Sequence, residues 1–215
     1  MRDRYLAQID ELHEKMEELC RLVEMAIDAT VEAMERMQGE AAKDVSEFEQ
    51  LIDQKEKDIE ALCMRLILEQ APVAGDLRII SSALKMITDM ERIGDQADDI
   101  AELMIQIQDF TFMENLPHIK EMAEATKEMV QNAIKAYVTQ DIKLANQVID
   151  QDDLVDSLFV EVKNEVIRAV KENDDAEDAT DFLMIAKYFE RIGDHATNIA
   201  EWSLYSVTGS KQRDI

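Results

Sequence analysis

From Ile9 onward, apolar residues recur in alternating steps of three and four: Leu12, Met16, Leu19, Val23, Ala26 or Ile27, Thr30 and Met34. That spacing keeps them on one face at 3.6 residues per turn, so a first helix of about 34 residues is expected. Gly39 is its expected stop. A second helix carries Val45, Phe48, Ile52, Ile59, Leu62 or Cys63, and Leu66, ending near Gln70. The string APVAGD, residues 71–76, combines Pro72 and Gly75 with Asp76 as a helix cap, and predicts a turn before a third helix from Leu77 to near Gln108. Pro117 opens a fourth helix to near Gln140. Asp141 caps a fifth through Val148, Val155, Phe159, Val162 and Val166, and NDDAED, residues 173–178, separates it from a sixth ending near Tyr205.

MERIGDQADDIAE, residues 90–102, returns as FERIGDHATNIAE, residues 189–201, with nine identities between Glu91–Glu102 and Glu190–Glu201. Helical periodicity would explain matching apolar positions but not a matching Glu-Arg-Ile-Gly-Asp string, so the chain contains an internal repeat. The expected fold is all-α: two tandem, pseudo-symmetric, antiparallel three-helix bundles, over residues 1–109 and 116–208, joined by QDFTFMENL, residues 108–116. Aligning the second and fifth helices on their carboxylates suggests about seven extra residues in the first half, a length that preserves heptad phase.

Composition sharpens this picture. Only 5 Gly and 2 Pro in 215 residues leave little material for tight turns, which favours long helices. The 48 acidic against 23 basic residues give a net charge of -25, which repels nucleic-acid phosphates and excludes direct nucleic-acid binding. No apolar run approaches the roughly 20 residues of a bilayer span, and no secretory signal is visible, so a soluble cytoplasmic protein is expected. Cys20 and Cys63 lie within apolar patterns without metal-site spacing and read as buried thiols. The 13 Met residues fall largely at core spacing.

Most of the acidity is a solvated surface. Four i, i+4 pairs are different, because they fall on apolar stripes: Glu56 with Glu60, Glu91 with Asp95, Asp152 with Asp156, and Glu190 with Asp194. The core line Leu77, Ile80, Leu84, Ile87 runs into Glu91, while a second line, Ala83, Met86, Met90, Ile93, Ala97, Ile100 and Met104, continues uninterrupted. Two carboxylates about 4 Å apart repel by roughly 4 kcal/mol at an effective dielectric of about 20, so facing pairs need protonation, basic partners or a cation. Arg92, Arg191, Lys55, Lys57 and Lys85 are the basic side chains available for ordinary salt bridges. Oxygen donors without Cys suit hard cations such as Mg or Mn, or iron in an oxygen-rich cluster, and suit a thiolate-type Zn site poorly. Asp99 and Asn198 are candidate additional ligands. Asp98 extends the first acidic face, and His195 is read as solvated at the groove's edge.

Other chemistry has weaker support. A ferritin-like di-metal oxidase requires Glu-x-x-His, and the residues three before His13, His118 and His195 are Asp10, Asn115 and Ile192. A metal-storing or redox bundle is the alternative reading, and a plain helical scaffold with solvated acidic pairs is the third. The sequence has no glycine-rich phosphate loop of the nucleotide-binding kind, and no Ser, His and acid arrangement can be singled out in so polar a helical chain.

The doubled Glu-Arg-Ile-Gly-Asp string and the turn Pro72-Val73-Ala74-Gly75-Asp76-Leu77-Arg78 resemble the PhoU family of phosphate-specific transport accessory proteins, over nearly the whole chain. The resemblance implies two pseudo-symmetric three-helix bundles whose acidic motifs hold divalent or multinuclear metal (Fe, Mn, Mg or Zn), with Glu56, Glu60, Glu91, Asp95, Asp152, Asp156, Glu190 and Asp194 at the matching positions. Asp76, Arg78, Arg92 and Arg191 belong to the structural part of the motifs. It further implies a homodimeric, non-enzymatic negative regulator of phosphate uptake and of the phosphate-starvation regulon. Such a protein is an adaptor between the phosphate ABC transporter's ATPase and a phosphate-sensing histidine kinase, reaching the membrane through them.

Overall fold

The computed structural model describes residues 2–36, 44–70, 72, 75–107, 110–173 and 177–210. Among the described residues six α-helices run in sequence: α1 (Arg2–Glu35), α2 (Val45–Gln70), α3 (Gly75–Gln106), α4 (Pro117–Thr139), α5 (Ile142–Asn173) and α6 (Glu177–Thr208), with a 3-10 helix, Phe110–Asn115, between α3 and α4. Among the described residues there is no strand, and no helix is long and apolar enough to cross a membrane. Gly39, the expected stop of α1, lies outside the described residues.

Helices α1, α2 and α3 pack on one another, as do α4, α5 and α6. The two bundles meet through α3 on α6 and α1 on α4, which leaves α2 and α5 on the outside. The uninterrupted line from Ala83 to Met104 is buried throughout, and Phe182 and Phe189 are the largest buried side chains of α6. Each large side chain buried in this way contributes about 1.5–3 kcal/mol. Cys20 and Cys63 are buried free thiols, pushed up to about 12 chiefly by burial.

The helix ends follow local chemistry. Asp141 caps α5, its Oδ1 accepting from the backbone N–H of Lys143 at 2.9 Å and of Leu144 at 3.1 Å. Gln140 closes α4 in the left-handed region, with φ 54°. Asp76 lies inside the first turn of α3 rather than capping it, because the helix begins at Gly75. There it favours the helix dipole and faces the Tyr5 hydroxyl, which burial and Asp76 push up to about 12. Residues 110–116 of the segment joining the halves pack on the second bundle. Phe112 stacks on Phe182 at 5.9 Å and Phe110 meets the same ring edge-on at 6.3 Å.

Leu116, at the N-cap of α4, offers no side-chain cap. The cap comes from α5: Glu165, only 4% exposed, accepts the backbone N–H of His118 at 3.4 Å and pairs with its Nδ1. That hydrogen bond raises the His118 pKa. A raised histidine contributes stability that is fully present below the unfolded value, about 6.5, and is lost as pH rises through the folded value. The melting temperature of the native chain is therefore expected to acquire a downward slope above about pH 6.5, and His118→Gln to remove that component. Parallel pH profiles of the two proteins would refute the assignment.

Gly209 ends α6 at φ 81°, its N–H donating to the Tyr205 carbonyl at 2.9 Å, and a Cβ there would lie 2.7 Å from Arg78 Nη1. Gly209→Ala is expected to destabilise the protein by about 1–2 kcal/mol. Gly75→Ala, where nothing lies within 4 Å, is expected to be neutral or stabilising. Thermal unfolding of both variants checks the contrast.

Candidate metal centres

Close helix approach sets the register of both candidate sites. A Cβ on Gly94 would lie 3.0 Å from Ile52 Cδ1, and one on Gly193 would lie 3.4 Å from Val155 Cγ1 and 3.8 Å from Asp152 Oδ1. Ile52 and Val155 are therefore equivalent. Three residues before and one residue after them stand Glu49 and Asp53 in the first half, Asp152 and Asp156 in the second. Glu49 and Asp53, rather than Glu56 and Glu60, are the counterparts of Asp152 and Asp156. The sequence-based pairing slipped by one heptad, two helical turns that leave a carboxylate on the same face, so helical phase could not reveal it. The extra turns expected before the first acidic pair are this misregister.

In the first groove, Glu49 and Asp53 on α2 face Asp95 and Asp98 on α3, with Glu91 and Glu56 beside them. Burial, followed by Asp98, Asp53 and Asp95, raises the Glu49 pKa. Burial and then Asp95 raise that of Glu91 against the pull of Arg92, with Glu56 and Asp53 adding to the rise. Glu56 is raised by burial, then Glu60 and Asp53. Glu60 itself is exposed and on the outside of α2. Salt bridges neutralise part of the cluster: Lys57 holds Asp53 at 2.5 Å, and Arg92 reaches Asp95 at 2.9 Å and Glu91 at 3.4 Å. The Ser46 hydroxyl donates to Asp98, which thus borders the groove. Lys55 is drawn instead to Glu18 on α1, and Lys85 is exposed.

The second groove brings the expected residues together. Burial, then Asp194 and Asp156, raise the Asp152 pKa. Burial, then Glu190 and Asp156, raise that of Asp194, opposed by Lys187 and His195. Glu190 pairs with Lys187, whose ammonium lies 5.3 Å from the Phe159 ring centroid. In both grooves the carboxylates crowd one another without closing: among the described residues no three His, Cys, Asp or Glu side chains are placed to hold a metal ion. The donors are all carboxylate oxygens, the chemistry that suits hard cations.

The remaining candidates belong to the seam between the halves. Asp89 Oδ1 on α3 accepts from Asn198 Nδ2 at 3.0 Å and lies 2.9 Å from His195 Nδ1, both on α6. His195 is consequently half-buried and paired, not solvated. Tyr188 takes the position of Asp89 in the repeat, and it faces Asp99, the counterpart of Asn198, across the same seam. Burial raises the Asp99 pKa, with the Tyr188 hydroxyl opposing. Asp99 and Asn198 are therefore committed to joining α3 to α6. Arg191 is exposed, and its charge acts on Asp99 and Tyr188. Arg78 lies against Gly209, near the start of α3. Glu49 and Asp53 were overlooked because the heptad hid them, although each has the same spacing around an apolar residue as Asp152 and Asp156. Asp89 and Tyr188 lie just before the repeated string and carried no signal of their own.

The profile of the PhoU domain matches the chain twice, at residues 16–104 and 119–203. The phosphate-specific transport system accessory protein PhoU homolog of Clostridium acetobutylicum is 35% identical over 211 residues, 97% of this chain and 96% of that protein. The homolog of Aquifex aeolicus is 36% identical over 86% of this chain and 84% of its own length. The crystal structure of PhoU from Pseudomonas aeruginosa superposes with a TM-score of 0.88 at 30% identity, covering 96% of this chain and 100% of that one. The phosphate transport system regulatory protein PhoU of Streptococcus pneumoniae has the same fold, with a TM-score of 0.88 at 24% identity. The chain belongs to the PhoU family.

Proposed function

We propose that this protein is a cation-dependent regulatory accessory protein of phosphate transport. In this reading it restrains phosphate uptake and the phosphate-starvation response as an adaptor between a phosphate ABC transporter's ATPase and a sensor histidine kinase. Family membership supports the link to phosphate transport, since relatives are named as accessory proteins of that system. The observation that carries the cation is the duplicated groove: Glu49, Asp53, Glu91 and Asp95 in one half, Asp152, Asp156, Glu190 and Asp194 in the other. Burial first, and neighbouring carboxylates second, raise the pKa values of Glu49, Glu91, Asp152 and Asp194, and a hard divalent cation, Mg, Mn or ferrous iron, would offset both effects. These half-exposed side chains are free to rotate toward a cation while the Gly94 and Gly193 contacts hold the helices. The neutralised grooves then fix the outer faces of α2 and α5 for partner docking.

Binding only to the folded form adds about 2.7 kcal/mol at one hundred times Kd. For a chain of this size that raises the melting temperature by roughly 5–10 °C. Saturating manganese is expected to produce such a rise at pH 7. Glu49→Gln should reduce it and Glu60→Gln should leave it intact. Without metal, acid should stabilise the grooves: a carboxyl with a raised folded pKa contributes stability that is lost as pH rises through that value. Asp194→Asn should blunt that dependence. A melting temperature indifferent to manganese would remove the cation from the proposal. The adaptor role is checked by capture of the ATPase and the kinase on the immobilised protein, with and without manganese, and binding of neither would end it.

A further inference from the structure

The two bundles meet along two separate lines. Among the described residues α3 meets the second bundle through α6 and α1 meets it through α4, with no contact between α1 and α6 or between α3 and α4. The first line is close along its length: Arg78 lies against Gly209 at one end, Asp89 holds His195 and Asn198 in the middle, and Asp99 faces Tyr188 beyond them. The second line is open. Between α1 and α4 runs a cleft of about 590 Å3, walled by Glu17 and Glu24 on one side and Lys135 and Thr139 on the other, with Cys20 and Ile134 on its floor. Asp28 stands at one end of the cleft, where its Oδ1 accepts from Gln131 Nε2 at 3.1 Å and lies 3.3 Å from the Lys127 ammonium. The shift that carries Ile52 to Val155 also carries Asp28 to Gln131, so this contact joins corresponding positions of the two halves. Asp28 is 49% exposed and Lys127 27%. A pair so exposed contributes little and is screened by salt.

We propose that the cleft between α1 and α4 is the opening side of a hinge whose axis is the α3–α6 seam, and that Asp28 is its latch. The polar pairs of the seam require one register and bar sliding. A rotation about the line of the seam keeps each residue at its height and moves the groups on that line least. It moves α1 and α4 most, and there the polar contact to be broken is weak. Contacts between domains ordinarily permit such motion unless they are large and apolar. Opening turns α2 and α5 relative to one another, so a partner that spans both outer faces selects one opening. The device does not depend on cation binding.

The chain carries its own reporter. Cys20 is 2% exposed on the floor of the cleft, whereas Cys63 is buried on α2 outside the cleft lining. The test is alkylation of the full chain with iodoacetamide at fixed pH, followed at each thiol by mass spectrometry. Opening exposes Cys20 alone, whereas global unfolding exposes both thiols together. Asp28→Ala is expected to raise the ratio of the Cys20 rate to the Cys63 rate on the order of fivefold. Added salt should raise that ratio in the native chain and not in Asp28→Ala. Asp28→Lys combined with Lys127→Asp, which restores the pair with its charges exchanged, should return the ratio toward the native value. A ratio indifferent to Asp28→Ala, or one that falls because both thiols become reactive together, would overturn the proposal.

Discussion

Everything at the two acidic grooves depends on how closely α3 can approach α2 and α6 can approach α5. The approach is tighter at Gly94, where the missing Cβ leaves room for Ile52 against the backbone, than at Gly193, where a Cβ would meet Val155 at an ordinary 3.4 Å. The carboxylates of each groove are carried on the residues flanking this contact, so the glycine determines which acids face one another. A Cβ at Gly94 would require the Ile52 Cδ1 methyl, 3.0 Å away, to give by a few tenths of an ångström. The repeated Glu-Arg-Ile-Gly-Asp string is consequently one physical unit: Ile93 and Ile192 are buried in the cores, the glycine sets the helix spacing, and Glu and Asp flank the resulting cleft.

That contact has an energetic consequence. Burial and mutual repulsion act in the same direction on Glu49, Glu91, Asp152 and Asp194, and the helices remain together because the opposite faces of α3 and α6 bury a continuous apolar line. The fold thus stores repulsion in two places and holds it with hydrophobic packing. Removing the repulsion by acid, by amide substitution or by a cation should stabilise the same structure. Arg92, Lys57 and Lys187 relieve part of it, each on a different subset of the carboxylates.

How much of this was legible in the sequence follows from what kind of signal carried each feature. The helices were readable because their apolar faces repeat over many turns, and Asp141 and Pro117 marked starts that local backbone chemistry enforces. The Glu91, Asp95, Glu190 and Asp194 half of the grooves was readable from the repeat. The opposing half was readable only where no competing acid lay one heptad away, which is true of Asp152 and Asp156 but not of Glu49 and Asp53. Phase identifies a face and not a height along it, and the height is set by the tertiary contact of Ile52 with Gly94. His195 and Asn198 were misjudged for a related reason: their partner Asp89 is distant in sequence and belongs to the other half.

The seam also explains how two similar halves can be held in one fixed arrangement. If α3 and α6 met through apolar residues alone, the pairing would tolerate sliding, since one hydrophobic register resembles the next. Asp89 instead requires donors, and finds them in His195 and Asn198, while the equivalent Tyr188 faces Asp99. A one-turn slip would strand a half-buried carboxylate and break both sets of contacts, a loss of about 1–3 kcal/mol for each orphaned group. The polar seam therefore specifies the relative position of the bundles, and with it the separation of the two grooves. The repeat could diverge at these positions because each change was made in a pair across the seam: the carboxylate at 89 faces the donors at 195 and 198, and the hydroxyl at 188 faces the carboxylate at 99.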